Sequence, residues 1–312
     1  MNIVQSCMAL KANENALVVT DIDTIEIGQT LAYACRAVGA DPVLAIMSTR
    51  DLGGDEPPPP IAQAMLASQV IVMATSKSLT HTEATVAALK KGARIASMPS
   101  ITERMMVSGA MLADSAEVKR VSEKIMKLCN GSRKVRITTK RGTDLEFSVE
   151  GRVFDAESGQ YHEPGVIGNL PAGESSVAPV EESGEGTLIV DASMASIGLL
   201  REPIRFAFHK GRAERIEGGA EAEQLLRYLT ELHDPYAFYL GELGIGSNAR
   251  ATVTGNTLED EKVLGTVHLA IGTNIDLGGK IKSKIHLDGV VRAPTIQVDQ
   301  RVIMTDGMLV GE

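Results

Sequence analysis

Short apolar runs separated by helical patterns fill the first part of the chain. Four of these runs predict buried β-strands, at 16–20, 41–47, 70–74 and 93–98. The segments between and after them carry apolar residues at helical spacing and predict helices at 24–37, 61–67, 78–91 and 115–128. Strands that alternate with helices are typical of a parallel sheet with helices on both faces.

From residue 134 the pattern changes to short strands with alternating polar and apolar positions. The runs 135–139 and 144–149 flank a Lys-Arg-Gly-Thr turn, which predicts a hairpin. Further strands are predicted at 187–190, 204–209, 212–217, 263–271 and 295–304. A helix is predicted at 220–232, and glycine-rich loops are predicted at 165–173, 241–246 and 272–279.

Two domains follow from these patterns and from the chain length of 312 residues. We expect an α/β N-terminal domain with a mainly parallel sheet at 1–132. An α+β domain with mainly antiparallel strands is expected at 133–312.

Composition narrows the class of protein. A formal net charge of −9 argues against a nucleic-acid partner, whose phosphates require a basic surface. No apolar run approaches 18 residues, so we expect no membrane span. The cysteines Cys7, Cys35 and Cys129 are odd in number and widely spaced. They suit small buried positions in a protein of the reducing cytoplasm.

The most informative local pattern is a His-x-Asp pair, His286 and Asp288, which follows another histidine, His268. Side chains two residues apart on a strand point to the same face, so this pair can present two ligands to one ion. Two histidines and one carboxylate suit Zn, Mn, Co or non-haem Fe. The alternative is that each histidine only packs on a strand and satisfies a hydrogen bond.

Three glutamates accompany these residues. Glu174 follows a Pro-Ala-Gly turn, and Glu242 lies between glycines in an apolar run. A glutamate in such surroundings is seldom buried unless it is paired or bound to metal, although a solvated loop carboxylate is the plainer interpretation. Glu261 is a candidate general base, or equally part of a charged turn with a local ion pair.

Four segments of the second half, 168–174, 241–242, 259–270 and 286–288, resemble the metal-binding domain of the thermophilic-metalloprotease aminopeptidase family, which includes leucyl-aminopeptidase-like enzymes. The resemblance spans roughly 165–310. It implies two divalent ions that share a bridging glutamate. The ligands it implies are Glu174, Glu242, His268, His286 and Asp288. It further implies that Glu242 is the bridge and that Glu261 is a candidate base.

The N-terminal half points to a related branch of that family. The segments 78–83 and 92–99 resemble 2,5-dihydroxypyridine 5,6-dioxygenase. That resemblance implies a single Fe(II) held by His268, His286 and Asp288. It also implies that His81 approaches the substrate.

The leading hypothesis is a cytoplasmic metallo-aminopeptidase-like hydrolase that cleaves a peptide or small amide with a pair of Zn, Co or Mn ions. The alternative is an Fe(II) dioxygenase that opens a 2,5-dihydroxypyridine-type N-heterocycle. A third interpretation is a ligand-binding protein with a structural metal, although no cysteine lies near the motifs to supply thiolates. By analogy with the family we expect a homodimer or larger homo-oligomer.

Overall fold

The computed structural model describes residues 1–310. Within this range the α-helices are α1 (Ile25–Ala37), α2 (Pro59–Leu66), α3 (Glu83–Lys90), α4 (Glu103–Val107), α5 (Ser115–Cys129), α6 (Ala220–Glu231) and α7 (Thr257–Asp260). The strands are β1 (Ala16–Asp21), β2 (Val43–Met47), β3 (Val70–Thr75), β4 (Arg94–Pro99), β5 (Lys134–Thr138), β6 (Asp144–Ser148), β7 (Asp155–Glu157), β8 (Ile167–Asn169), β9 (Glu174–Val177), β10 (Glu185–Val190), β11 (Ser193–Met194), β12 (Gly198–Leu199), β13 (Ile204–His209), β14 (Arg212–Glu217), β15 (Leu240–Gly246), β16 (Thr266–Gly272), β17 (His286–Arg292), β18 (Thr295–Val298), β19 (Arg301–Thr305) and β20 (Met308–Leu309).

The first of two units comprises residues 1–119 and 158–172. It contains a sheet in the order β2-β1-β3-β4-β8, in which every pairing is parallel. The central strands β1 and β3 are buried at every residue, as expected of a parallel sheet covered on both faces. Its core is built from aliphatic side chains and methionine, for example Val19, Met73 and Ile95. The predicted α/β fold of the N-terminal half is confirmed.

The second unit comprises residues 120–157 and the chain from 173 onward. It contains two sheets in which all named strands pair antiparallel, in the orders β14-β13-β10-β6-β5-β18-β19-β20 and β12-β11-β17-β16-β15-β9-β7. The predicted hairpin is formed by β5 and β6. One hydrophobic core, which includes Phe147, Phe206 and Leu243, draws on both sheets. The predicted α+β half with mainly antiparallel strands is confirmed.

The division of the chain differs from a single boundary at residue 132. Residues 158–172 belong to the first unit, because β8 pairs with β4 and completes the parallel sheet. Residues 120–132 belong to the second unit, whose core includes Val121, Ile125 and Cys129 of α5. The pairing of β8 with a strand about 70 residues earlier is invisible in a local sequence pattern.

The predicted glycine-rich loop at 241–246 is wrong. These residues form β15, which is buried along its whole length. Glycine is needed there because neighbouring chain passes close by; a Cβ on Gly246 would lie 2.0 Å from the carbonyl oxygen of Val263. Glycine usually weakens a strand, so the sequence pattern favours a loop at a place where packing imposes a strand.

None of the described helices combines the length and the apolar content that crossing a bilayer requires. The cysteines are free and buried, as expected. Burial raises the pKa of Cys7 and Cys129 to about 12 and that of Cys35 to about 11. These thiols are therefore inert packing groups rather than nucleophiles.

Candidate metal centre

Four adjacent strands of the seven-stranded sheet, β17, β16, β15 and β9, carry the predicted ligands. Antiparallel pairing sets His268 opposite Gly244, Asp288 opposite Ala270 and Glu174 opposite Gly246. This pairing brings together side chains that lie more than 100 residues apart in the sequence. The candidate metal centre consists of Glu174, Glu242, His268, His286 and Asp288.

Glu242 lies between the two histidines of the centre. Its Oε2 atom is 2.8 Å from Nε2 of His286, and its Oε1 atom is 3.8 Å from Nε2 of His268. The same Nε2 atom of each histidine also lies close to a second carboxylate. Oε2 of Glu174 is 3.2 Å from Nε2 of His268, and Oδ1 of Asp288 is 3.4 Å from Nε2 of His286.

Donor atoms of the centre converge closely enough to surround a cation. Three groups have one donor atom from each member within 4.8 Å of one another. They are Glu174–Glu242–His268, Glu242–His286–Asp288 and Glu261–His268–Asp288. Asp288 therefore belongs to a group with each histidine, and Glu242 joins two groups. Imidazole and carboxylate donors of this kind suit a divalent ion of the Zn, Mn, Co or Fe type.

Several buried polar atoms of the centre have no hydrogen-bond partner. They are Nδ1 of His268, Oε2 of Glu174 and Oδ1 of Asp288. The short contacts of the two carboxylate oxygens with imidazole nitrogens thus lack hydrogen-bond geometry. Buried polar atoms without partners are rare and costly, so their clustering at one place indicates a site built for an additional cation.

The ring of His286 is oriented by the backbone. Its Nδ1 atom lies 2.8 Å from the carbonyl oxygen of Thr273 and must donate a proton to it. Nε2 then faces the carboxylates of Glu242 and Asp288, where only a second proton or a metal ion relieves the repulsion between lone pairs. A backbone carbonyl that fixes the tautomer in this way is typical of metal-ligating histidines.

Charge in the metal-free centre also favours a cation. Burial lowers the pKa of His286, but the carboxylates of Asp288 and Glu242 outweigh burial and raise that pKa well above its usual value. Burial raises the pKa of Glu174, yet Lys262 and His268 outweigh it and lower the pKa to about 2. Burial likewise raises the pKa of Glu242, and the neighbouring imidazoles of His268 and His286 outweigh it and lower the pKa well below the usual range. Positive charge is therefore strongly stabilised at this place.

Glu261 directly follows α7 and is buried rather than solvated. The local ion pair of the alternative interpretation does exist, since Oε1 of Glu261 is 2.7 Å from Nζ of Lys262. Burial raises the pKa of Glu261 to about 7; Lys262 opposes this shift, while Glu174 and Asp288 add to it. The solvated-loop interpretation of Glu174 and Glu242 is also wrong, because both are buried.

Two residues of this region were missed by sequence reasoning as parts of the site. The ring of His268 lies directly over Gly244, where a Cβ would come within 2.0 Å of Cε1 and Nε2. Lys262 is buried completely beside Glu174. The sequence signal for Gly244 was limited to the glycines in 241–246. The signal for Lys262 was limited to its place at the end of an acidic run.

His81 belongs to the first unit, where it is exposed in the turn that precedes α3. The residues of the candidate metal centre belong to the second unit. The role of His81 toward a substrate therefore stays a prediction.

An α/β unit joined to an antiparallel unit that carries clustered imidazole and carboxylate donors is the arrangement expected of a metal-binding enzyme. The chain belongs to the NicX family, described as 2,5-dihydroxypyridine 5,6-dioxygenase, which it matches over residues 4–311.

Individual relatives agree with this assignment. The chain is 29% identical to the 2,5-dihydroxypyridine 5,6-dioxygenase of Pseudomonas putida KT2440 over 263 residues, which cover 80% of this chain and 73% of that protein. The solved structure of the Pseudomonas putida KT2440 dioxygenase has a TM-score of 0.83 at 22% identity, covering 99% of this chain and 95% of that chain.

A second solved structure, wild-type AmpT from Thermus thermophilus, has a TM-score of 0.73 at 16% identity and covers 99% of this chain and 97% of that chain. This likeness to an aminopeptidase is one of fold. The comparisons therefore support the dioxygenase alternative better than the leading hydrolase hypothesis.

Proposed function

We propose that this protein is a divalent-metal-dependent dioxygenase that opens the ring of a 2,5-dihydroxypyridine-type N-heterocycle. The observation that carries the proposal is the shared position of Asp288, which has donor atoms close to those of both His268 and His286. Two histidines and a carboxylate that bind one face of Fe(II) leave positions for substrate and O₂. Membership of the dioxygenase family supports this assignment.

In this proposal His268, His286 and Asp288 hold the ion. A bound ferrous ion would supply the positions at which the substrate hydroxyl and O₂ meet and would pass electrons from the substrate ring to O₂. Because Nδ1 of His286 donates its proton to the carbonyl of Thr273, Nε2 is the nitrogen whose lone pair would face the ion. Glu174 and Glu242 line the centre, and each has a carboxylate oxygen close to Nε2 of a proposed histidine ligand.

Glu261 is the proposed base for a substrate hydroxyl. A donor oxygen of Glu261 lies within 4.8 Å of donor atoms of His268 and Asp288, so a proton can be received next to the ion. The side chain of His286 is 31% exposed, whereas that of His268 is 2% exposed. A substrate therefore reaches the centre from the side of His286.

A hydrolase remains the second candidate because of one feature of the centre. Glu242 joins two donor groups, as a carboxylate that bridges two ions would. The fold shared with AmpT is consistent with that arrangement. In this case the substrate would be a peptide or small amide, and the ions Zn, Co or Mn.

Oxygen uptake distinguishes the two candidates. The chain is stripped of metal, reconstituted anaerobically with Fe(II) and mixed with 2,5-dihydroxypyridine in an oxygen electrode. We expect one O₂ consumed for each substrate molecule, together with loss of the ring's ultraviolet absorption. Absence of uptake, combined with cleavage of an aminoacyl nitroanilide by the Zn- or Co-loaded chain, would refute the dioxygenase and establish the hydrolase.

A further inference from the structure

Lys262 is a fully buried cation that contacts three carboxylates. Its side chain is 0% exposed, and Nζ lies 2.6 Å from Oε2 of Glu157, 2.8 Å from Oε1 of Glu174 and 2.7 Å from Oε1 of Glu261. An ammonium group has three N–H donors, so these contacts use all of them. A buried lysine with every donor satisfied is a fixed charge of the protein interior.

The backbone around Lys262 holds this charge in place. The carbonyl of Lys262 accepts a hydrogen bond from the amide of Asn248 at 2.8 Å, and its amide donates to the carbonyl of Glu259 at 3.0 Å. The preceding helix α7 is anchored by Asp260, whose carboxylate accepts from the amides of Thr254 and Gly255. The ammonium therefore sits at the end of a rigid segment rather than on a mobile turn.

Two carboxylates near His268, those of Glu174 and Glu261, are shared with this ammonium. Glu174 gives Oε1 to Lys262 and turns Oε2 toward Nε2 of His268. Glu261 gives Oε1 to Lys262 while remaining in the donor group of His268 and Asp288. Each carboxylate thus has one oxygen fully engaged and part of its charge neutralised.

The donor groups that share Glu242 outline a second possible ion position beside Glu174, next to the ion that His268, His286 and Asp288 would hold. We propose that Lys262 is the positioning residue that restricts this centre to a single divalent ion. Its ammonium withdraws charge from Glu174 and Glu261 and repels a second divalent ion from the position beside Glu174. This inference rests on the proposed one-ion function and explains how five donors are compatible with it.

The test counts Co²⁺ ions. Metal-free chain is titrated with CoCl₂ by calorimetry and by visible absorption, and the cobalt retained after gel filtration is measured against protein. We expect one ion per chain for the natural sequence and two for Lys262→Met, which keeps the length of the side chain and removes its charge. The control is Lys134→Met, since Lys134 forms an exposed ion pair with Glu146 in the same unit and should leave the count at one.

Every outcome decides the proposal. Two ions in the natural chain, or one ion in Lys262→Met, would overturn it. If Lys262→Met is unfolded without metal, added Co²⁺ should restore the fold, because the second ion replaces the ammonium, and thermal melting would detect this. Failure of Co²⁺ to restore the fold would also overturn the proposal. Cobalt counts of one and two without oxygen uptake on the dihydroxypyridine would retain the role of Lys262 and reject only the proposed reaction.

Discussion

At the scale of single residues, the candidate metal centre depends on how each histidine is oriented. His286 is oriented by a hydrogen bond to the backbone carbonyl of Thr273. His268 is oriented by sterics, because its ring lies against the bare backbone of Gly244. His286 is partly exposed and His268 is buried, so replacing His268 should disturb the packing of the protein more than replacing His286.

Replacement of His286 by alanine removes a proposed ligand without changing the packing of the hydrophobic core. We expect ring-opening activity to fall more than about 100-fold, since loss of a ligand costs more than loss of the group that orients it. His209→Ala is the matched control, because His209 is an exposed histidine of the same unit that forms a surface pair with Glu185. Full activity of His286→Ala, measured by oxygen uptake, would contradict the assignment.

Gly244→Ala tests the steric orientation of His268. The added methyl would overlap the imidazole ring, which must then rotate away from Glu174. We expect Co²⁺ affinity, measured by calorimetry, to fall about 10- to 100-fold. Gly53→Ala is the control, since its new Cβ would meet only ordinary contacts, the nearest at 3.8 Å. Unchanged affinity in Gly244→Ala would show that the ring tolerates displacement.

At the scale of elements, buried ion pairs connect segments that the sheets alone do not. In the first unit Arg94, at the start of β4, donates to both carboxylate oxygens of Glu14 at 2.7 Å. It also donates to the carbonyl oxygens of Met8 and Ala9. One side chain thereby fixes the N-terminal segment to the parallel sheet. Both partners are about one-tenth exposed, which makes the pair far more important than a surface pair.

Glu14→Gln should reduce the free energy of unfolding by about 3 kcal/mol at pH 7, because the guanidinium of Arg94 loses its charged partner. The hydrogen bond to Arg94 lowers the pKa of Glu14 below its ordinary value of 4.5. The unfolded chain thus binds the proton at a higher pH than the folded chain does. The contribution of the pair is complete above pH 4.5 and is lost as the pH falls through the lower, folded value.

Urea unfolding at pH 7 and at successively lower pH checks this expectation. The difference between the natural chain and Glu14→Gln should shrink in acid. Asp144→Asn is the control, since Asp144 and Arg136 form an exposed pair that water screens, and its loss should change stability far less than loss of the buried pair. A difference that stays constant with pH would show that the pair contributes through packing rather than charge.

At the scale of the whole molecule, all five residues of the candidate metal centre and Lys262 belong to one of the two units. Metal binding therefore stabilises the second unit directly, through mass action on its folded state. In the metal-free protein the negative charge of the buried carboxylates in this centre is only partly neutralised.

Metal removal should consequently lower thermal stability. At a free ion concentration 100 times Kd, binding contributes about 2.7 kcal/mol, which corresponds to roughly 5–10 °C in Tm for a unit of this size. Scanning calorimetry with Co²⁺ and after chelation measures the shift. His286→Ala should lose most of the gain, while His209→Ala should keep it. Equal Tm values with and without metal in the natural chain would contradict a folded-state metal site.

Much of the fold was predictable because its signals are local. Strands β1, β3 and β4, the helices between them and the β5–β6 hairpin all follow from short-range periodicity. The glycine-rich strand β15 and the return of β8 to the first sheet were not predictable. Both depend on partners far away in the sequence. In addition, glycine within a strand favours the prediction of a loop.

The sequence by itself determined the alternation of strands and helices, the common face of His286 and Asp288, and the resemblance to the metal-dependent family. Local geometry is sufficient for the first two, because backbone periodicity is a property of neighbouring residues. Only the tertiary structure decided that Glu174, Glu242 and Glu261 are buried, that Gly244 makes room for His268, and that Lys262 shares the carboxylates of the centre. These facts arise from antiparallel pairing and burial of distant segments, where the cost of removing charge from water selects which groups must meet.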